Sequence, residues 1–286
     1  MYSPHRSPYL GALDPRTGKV QEFRPPDIPG VLPGTHRIWV DERDVVWASE
    51  NWAHNLMRLD PKTGEFKRFF FPEAGTLNSP GFSNFAMDSK GSVYETLEIN
   101  GQPSVVRIDR ETGKIVKHWP FKRIRSTYDN IVSMDGRYWA GGITGGNLIG
   151  LLDTYTDQLW ELETPTLVSS PSRGGFDREG NAWFGGRGGM LVKLDPKTRK
   201  ITEFYPPFPY EAFYEVLPDK NGTIWAWALH GGRLLRFNPK TERYIDYMLA
   251  EPYSHNRRTW IDNSTDPVTV RYVDHNGYMV RIQPLE

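Results

Sequence analysis

The sequence has no cysteine, no excess of either charge and no long hydrophobic run. Without cysteine the chain can form neither disulfides nor thiolate metal sites, and thiol nucleophiles are excluded. Lys plus Arg and Asp plus Glu each number 35, so the chain lacks the basic surplus that nucleic acids or anionic membranes attract. No apolar stretch approaches the roughly 20 residues of a transmembrane helix. We therefore expect neither nucleic-acid binding nor membrane insertion.

The N-terminal segment also lacks the apolar core of a signal peptide and carries Pro4 and Pro8 instead. The compartment stays open, because exported proteins can also lack cysteine. The protein is expected to be cytoplasmic if Met1 is a natural start. It is expected to be periplasmic or secreted if the chain is part of a longer exported protein. The oligomeric state is also open.

What the sequence does contain is a repeat. A turn motif of the type LDPKTGEF recurs six times, and its Asp or Asn falls at positions 14, 60, 109, 153, 195 and 238. A degenerate seventh copy, RIQP, covers residues 281–284. The Asp side chain accepts hydrogen bonds from the backbone just ahead, and Pro fixes φ, so each copy predicts a turn between two strands.

A second turn signal lies between successive copies, as in DERD from residue 41 and DREG from residue 177. A short run rich in aromatic and β-branched residues usually follows, which is typical of strands. Each unit of 42–49 residues thus predicts four short antiparallel strands, which is one blade of a β-propeller. An α-solenoid of similar period is disfavoured because Pro and Gly occur too often. We predict an all-β fold and one propeller domain over residues 1–286.

The aromatic residue of the second strand recurs in the same register of five blades. We predict that these side chains fill equivalent slots between neighbouring blades and carry much of the stability. They are Trp47, Tyr94, Trp139, Trp183 and Trp225.

The predicted strands do not add up to a whole number of four-stranded blades. Five blades are complete, a sixth stops before its outer strand, and the N-terminal segments PYLGALDP and KVQEFRPP supply two strands. If KVQEFRPP completed the sixth blade, PYLGALDP would duplicate GYMVRIQP. A cut within a longer parent chain explains the extra strand most simply, and a six-bladed ring with a displaced N-terminal strand is the alternative.

One blade resembles the repeat of the streptogramin (virginiamycin B) lyase family, in the string GTHRIWVDERDVVWASENWAHNLMRLDPKTGEF. Weaker copies cover nearly all of the chain. The resemblance implies a seven-bladed propeller and a carbon–oxygen lyase that opens a cyclic depsipeptide antibiotic by magnesium-assisted elimination, which is an antibiotic-resistance activity. It implies that His36 is the general base and Glu50 a magnesium ligand. Gly34 stands where the family has its second magnesium-binding Glu.

The residues themselves also connect His36 with Glu50. The midpoint between them lies in the turn that begins at Asp41, so we expect the two side chains to face each other across one hairpin. Directly opposed residues have Cβ atoms about 4.5–5.5 Å apart, which is close enough to share a cation. A hydrogen-bonded pair without catalytic function is the alternative.

Segments between the blades bring further charged and aromatic residues to one rim. Guanidinium groups beside aromatic rings suit an anionic or aromatic small ligand. The candidate ligand-binding residues are Arg173, Tyr214, Glu215, His230, Arg257 and Arg258, with Lys122, Arg123, Arg125, Tyr128, Asp129 and Tyr210 in comparable positions. The alternative is that these arginines lie in loops, are solvated and bind no ligand.

Two functions follow from these observations. The first is a streptogramin-lyase-like propeller that binds a small molecule at its central funnel, with metal-assisted elimination at His36 and Glu50 and Mg²⁺ as the expected cofactor. The second is a non-catalytic binding or scaffolding propeller within a larger exported protein.

Overall fold

The computed structural model describes residues 8–208, 211–249, 258–273 and 278–285. Almost all regular structure in these residues is antiparallel β-sheet, apart from one short 3₁₀ turn at Pro72–Ala74. None of the helices found in the described residues is long and apolar enough to span a membrane. The chain divides into two compact units, residues 1–126 and residues 127–286, which are described separately.

The first unit contains a hairpin and two four-stranded sheets. The hairpin consists of β1 (Leu10–Leu13) and β2 (Val20–Phe23). The first sheet consists of β3 (Thr35–Val40), β4 (Val46–Glu50), β5 (Asn55–Asp60) and β6 (Glu65–Phe70). The second consists of β7 (Ala86–Met87), β8 (Ser92–Ile99), β9 (Gln102–Asp109) and β10 (Ile115–Pro120). Within each sheet, strands that follow one another in the chain pair side by side.

The second unit continues the pattern with three four-stranded meanders and one three-stranded sheet. The first meander consists of β11 (Asp129–Val132), β12 (Tyr138–Gly142), β13 (Leu148–Asp153) and β14 (Gln158–Glu163). The second consists of β15 (Pro171–Phe176), β16 (Ala182–Gly186), β17 (Met190–Asp195) and β18 (Lys200–Phe204). The third consists of β19 (Phe213–Pro218), β20 (Ile224–Ala228), β21 (Arg233–Asn238) and β22 (Arg243–Met248). The three-stranded sheet consists of β23 (Thr259–Asp262), β24 (Thr269–Val273) and β25 (Met279–Ile282).

These sheets are the predicted blades of a β-propeller. Five are complete, and the sheet formed by β23, β24 and β25 has the three strands that the repeat predicts for the sixth. The N-terminal hairpin packs Leu10 and Phe23 against Val46, Met57 and Leu59 of the following blade. The hairpin therefore occupies the place of the outer strands of a preceding blade within the first unit.

Both turn signals form as the sequence predicts. In the outer turn, the Asp60 carboxylate accepts the backbone N–H of Lys62 at 2.9 Å, and Asp195 accepts that of Lys197 at the same distance. In the turn between first and second strands, the aspartate also accepts the indole N–H of a tryptophan. Trp47 donates to Asp41 at 2.9 Å and Trp183 donates to Asp177 at 2.8 Å. In these blades the turn therefore fixes the hairpin and anchors a core side chain.

Trp47, Trp183 and Trp225 fill equivalent slots, as predicted, but Trp139 does not. Trp139 pairs with Leu152, one residue before the motif aspartate, whereas Trp183 pairs with Lys193, two residues before it. A shift of one residue turns a side chain to the other face of its sheet, so Ala140 occupies the equivalent slot in that blade. Trp183 is fully buried and packs against Phe204 of its own blade and Phe237 of the next, with ring centroids 5.6 and 6.2 Å apart. Trp47 is packed in the same way among Phe69, Phe82 and other residues of two blades. Trp225 lies in a cluster that reaches Ile261 and other residues of the three-stranded sheet. Each of these residues therefore joins adjacent sheets.

One residue of the outer turn has a left-handed backbone, which is strained for any residue except glycine. The fourth residue after the motif aspartate has a left-handed backbone, with φ of +76° at Gly64 and +54° at Glu242. A residue with a Cβ pays about 1–2 kcal/mol for this conformation, whereas glycine does not. We expect Glu242→Gly to raise the free energy of unfolding by about 0.5–1 kcal/mol after the entropy of the unfolded glycine is counted. Urea denaturation measures the change. Glu65→Gly, within a strand, should instead lower stability, and equal losses at both positions would contradict the explanation.

Candidate functional site

His36 and Glu50 lie on the same hairpin, but not opposite each other. Glu50 pairs with Thr35, and Ile38 pairs with Ala48, so one extra residue is inserted in β3 between these pairs. This is a single-residue β-bulge, which shifts the register at the end of the hairpin. The predicted opposition of His36 and Glu50 is therefore wrong by one residue. The His36 ring instead places Nδ1 3.2 Å from the carbonyl oxygen of Ser83 in the next blade.

The Glu50 carboxylate has an internal cation as its partner. Arg68 Nε donates to Oε2 at 2.5 Å and Arg68 Nη2 donates to Oε1 at 3.0 Å. Both side chains are largely buried, with 8% and 14% of their surface exposed for Glu50 and Arg68. A magnesium ion does not fit these surroundings, because both carboxylate oxygens are engaged and the guanidinium would repel the ion. Among the described residues, no group of three or more His, Cys, Asp and Glu side chains could hold a metal ion.

The same bulge recurs in the second unit and places two of the candidate ligand residues. In β15, Pro171 pairs with Gly186 and Gly174 pairs with Phe184, so the bulge includes Arg173. In β19 the register shifts between Phe213 and Glu215, at Tyr214. Bulges re-aim side chains and are common beside functional sites. The first strands of neighbouring blades meet here, since Arg173 and Glu215 pair in parallel.

Two arginines and two tyrosines form one cluster, which we call the arginine–tyrosine cluster: Tyr128, Arg173, Arg187 and Tyr214. The guanidinium carbon of Arg173 lies 5.2 Å from the centroid of the Tyr128 ring and 5.1 Å from that of Tyr214. Arg187 contacts the same two rings at 4.8 and 5.0 Å. The rings meet edge to face, and the two hydroxyl groups are hydrogen-bonded to each other. Each tyrosine is thus within cation–π distance of two cations.

Arg173 is the buried member of the cluster, with 2% of its surface exposed. Burial by itself would lower the pKa of the Arg173 guanidinium, but the oxygen atoms of Tyr214, Asp129, Tyr128 and Glu215 raise it above its ordinary value. The Arg173 charge is therefore permanent and is stabilised by the neighbouring carboxylates of Asp129 and Glu215.

These two carboxylates also have structural partners. Asp129 accepts the backbone N–H of Gly174 at 3.3 Å. Glu215 accepts the backbone N–H of Thr259 at 2.5 Å and a guanidinium N–H of Arg258 at 3.1 Å. Each carboxylate therefore ties the first strand of one blade to that of the next. Their engaged oxygens make them supports of the site rather than ligand groups.

Arg187 differs from Arg173 because no carboxylate among the described residues lies within ion-pairing distance of it. Its side chain is half-buried, and its buried Nε has no hydrogen-bond partner in the part of the chain that the structure describes. It lies in the turn after β16, within the segment GGRGGM. The sequence does not single out Arg187, because the segment has only the glycine-rich pattern of a turn between two strands. The blade register places Arg187 directly after β16, but it does not show which rings the side chain contacts.

The two phenols respond differently to this environment. Burial by itself raises the pKa of Tyr128, but the charges of Arg173 and Arg187 and the hydrogen bond from Tyr214 bring it below its ordinary value. Burial and the neighbouring Tyr128 raise the pKa of Tyr214 to about 12, although Arg173 opposes this shift. The hydroxyl pair therefore releases one proton more readily than an ordinary tyrosine and the second less readily.

The remaining candidates are not all in this cluster. Arg258 is adjacent through Glu215, whereas His230 is exposed in the loop after β20. Lys122, Arg123 and Arg125 are exposed in the first unit, in the segment after β10. Arg257 and Tyr210 lie outside the described residues.

Comparison with known proteins identifies the fold. No protein-family model matches the chain, and no curated protein matches it in sequence. Virginiamycin B lyase from Staphylococcus aureus is similar in structure, with a TM-score of 0.82 and 17% identity over 98% of this chain and 89% of that chain. A catalytically inactive variant of that lyase, solved with quinupristin, gives a TM-score of 0.81 and 18% identity over the same shares. The predicted resemblance is therefore confirmed in the fold.

The fold by itself does not assign the activity. A streptogramin B lyase structure has a TM-score of 0.70 and 17% identity, covering 89% of this chain and 84% of that one. A chain of a mitotic checkpoint complex reaches a TM-score of 0.78 at 6% identity over 99% of this chain and 84% of that chain. Propellers of unrelated role thus share this architecture, so function has to be argued from the site.

Proposed function

We propose that this β-propeller binds a small anionic molecule at the arginine–tyrosine cluster and does so without a metal ion. The observation that carries the proposal is Arg187, a half-buried cation that contacts two aromatic rings and has no carboxylate partner among the described residues. A charge taken partly out of water is costly unless it is paired. An anionic ligand would supply that pairing.

The cluster also favours an aromatic ligand. Cation–π contacts hold the Arg187 guanidinium against Tyr128 and Tyr214, which keeps its donors oriented. A planar carboxylate matches a guanidinium with two parallel hydrogen bonds, and an attached ring can pack on the tyrosines. Benzoate is therefore a suitable probe, and inorganic phosphate tests whether charge alone is sufficient.

The lyase expectation has less support. Magnesium-assisted elimination at His36 needs a cation at Glu50, and Arg68 already neutralises that carboxylate. We therefore derive no elimination step for this chain. In the proposed function, adding Mg²⁺ or a chelator leaves benzoate binding unchanged, and His36→Ala retains it. Binding that requires Mg²⁺ and His36 would instead support the lyase function.

Arg187→Met is expected to weaken benzoate binding at least tenfold, because a hydrogen bond to a charged group contributes about 1.5–3 kcal/mol. Isothermal titration calorimetry of the whole chain measures the dissociation constant. The matched control is Arg178→Met, which removes an exposed arginine from a turn of the same blade. Equal affinity in both variants, or no binding to the unsubstituted protein, would contradict the proposed site and would favour a scaffolding module.

A further inference from the structure

The arginine–tyrosine cluster contains an ionisable phenol, that of Tyr128, next to its two cations. We propose that the site binds a singly charged oxyanion and that, where Tyr128 is ionised in the free protein, binding takes up one proton onto the hydroxyl oxygen of Tyr128. This inference rests on the proposed function, since it concerns the same site. It adds the charge state of the ligand and the way in which pH regulates its binding.

The first step is the charge of the site. Asp129 and Glu215 together balance two cations, Arg173 and Arg258, which leaves the charge of Arg187 uncompensated when both tyrosines are protonated. One negative charge therefore neutralises the site. A dianion would leave an excess negative charge in a half-buried place, which is costly.

The second step is that the protein itself can supply the negative charge that a ligand would bring. The Tyr128 ring lies under both guanidinium groups, and its hydroxyl is hydrogen-bonded to that of Tyr214. When Tyr128 loses its proton, Tyr214 can donate to the phenolate and both arginines attract it. Arg173 on β15, Arg187 after β16 and Tyr214 on β19 face Tyr128. Burial raises the pKa of Tyr128, and the combined effect of these three groups lowers it below its ordinary value. The phenolate is thus an internal oxyanion.

The third step is competition. A bound oxyanion uses the charge of Arg187 and brings its own negative charge near Tyr128, so it raises the pKa of that hydroxyl. The ligand therefore binds with uptake of one proton wherever Tyr128 is ionised in the free protein. No bond other than the phenol O–H is formed, and the proton comes from the solvent. Because linkage is reciprocal, affinity must fall as pH rises through the pKa of free Tyr128.

The sign and size of the effect can be stated. At pH values below the pKa of free Tyr128 the hydroxyl is already protonated, so this group does not make the affinity for benzoate depend on pH. Above it, affinity falls about tenfold for each pH unit and proton uptake approaches one per ligand. The fall begins below pH 10, the ordinary value for a tyrosine, because the pKa of Tyr128 is lowered.

The experiment is calorimetric titration of the whole chain with benzoate over a range of pH, in two buffers of different ionisation enthalpy. Tyr128→Phe keeps the ring but removes the ionisable group, so its binding should lose both the fall in affinity and the proton uptake. Tyr214→Phe removes the donor to the phenolate and should move the fall to higher pH. Tyr155→Phe is the matched control, because Tyr155 is an exposed tyrosine in contact with Arg137. It should keep the original profile.

A second measurement needs no ligand. Near-ultraviolet absorbance follows tyrosinate formation in the free protein, and the first ionisation step should disappear in Tyr128→Phe but not in Tyr155→Phe. Benzoate binding without proton uptake at a pH where the absorbance shows tyrosinate in the free protein, or an unchanged pH profile in Tyr128→Phe, would overturn the coupling and leave the proposed function intact. Absence of benzoate and phosphate binding at every pH would overturn the proposed function and the coupling with it.

Discussion

Trp183→Ala is expected to lower the free energy of unfolding by about 3–5 kcal/mol, which is the usual cost of truncating a fully buried tryptophan. Trp183 has no exposed surface, donates its indole N–H to Asp177 and packs against Phe204 and Phe237. The substitution removes contacts within one blade and between two. It also leaves the Asp177 carboxylate without one of its donors.

Urea denaturation followed by tryptophan fluorescence and circular dichroism measures this loss. Trp260→Ala is the control, because Trp260 is 69% exposed and its removal should change stability by no more than about 0.5 kcal/mol. A loss below about 1 kcal/mol at Trp183 would contradict the slot between blades that the repeat assigns to this residue.

Arg68→Met is expected to cost about 3–5 kcal/mol of unfolding free energy, because it leaves the Glu50 carboxylate buried without its cation. The ion pair is nearly enclosed, and two hydrogen bonds join its members. Exposed pairs are worth far less, typically under about 1 kcal/mol. Arg24→Met breaks such an exposed contact, with Asp27, and serves as the control.

The double variant Arg68→Met with Glu50→Gln separates pairing from packing. Removing both charges should recover much of the loss, because the main penalty is the uncompensated carboxylate. If the double variant is as unstable as Arg68→Met alone, the loss comes from packing. A clear rise in the midpoint of thermal unfolding on adding Mg²⁺ to the unsubstituted protein would show that Glu50 binds metal despite Arg68.

The sequence was most informative about local structure. The turn motif at Asp60 and the second turn at Asp41 use side chains that bond to backbone groups two to four residues ahead. Such turns form from short-range interactions alone, so their positions could be predicted, and with them the strands, the blade period and the slot for Trp47. The β-propeller fold followed from this repetition and is confirmed.

The candidate site was only partly predictable. Arg173 and Tyr214 were found because the blade register placed them at the start of a first strand. The bulge that shifts Glu50 opposite Thr35 was not predicted, since an inserted residue changes no local pattern and is fixed by pairing with the neighbouring strand. Arg187 was missed because nothing in a glycine-rich turn shows which rings it will meet.

The sequence by itself therefore determined the strands, their turns and the blades they form, because these depend on neighbours a few residues away. Tertiary structure alone decided which charges meet. Glu50 is joined to Arg68 across a sheet, and Tyr128 is brought to Arg187 and Tyr214 from separate blades. Such contacts depend on the register and packing of whole strands, and a difference of one residue in register is enough to replace one partner with another.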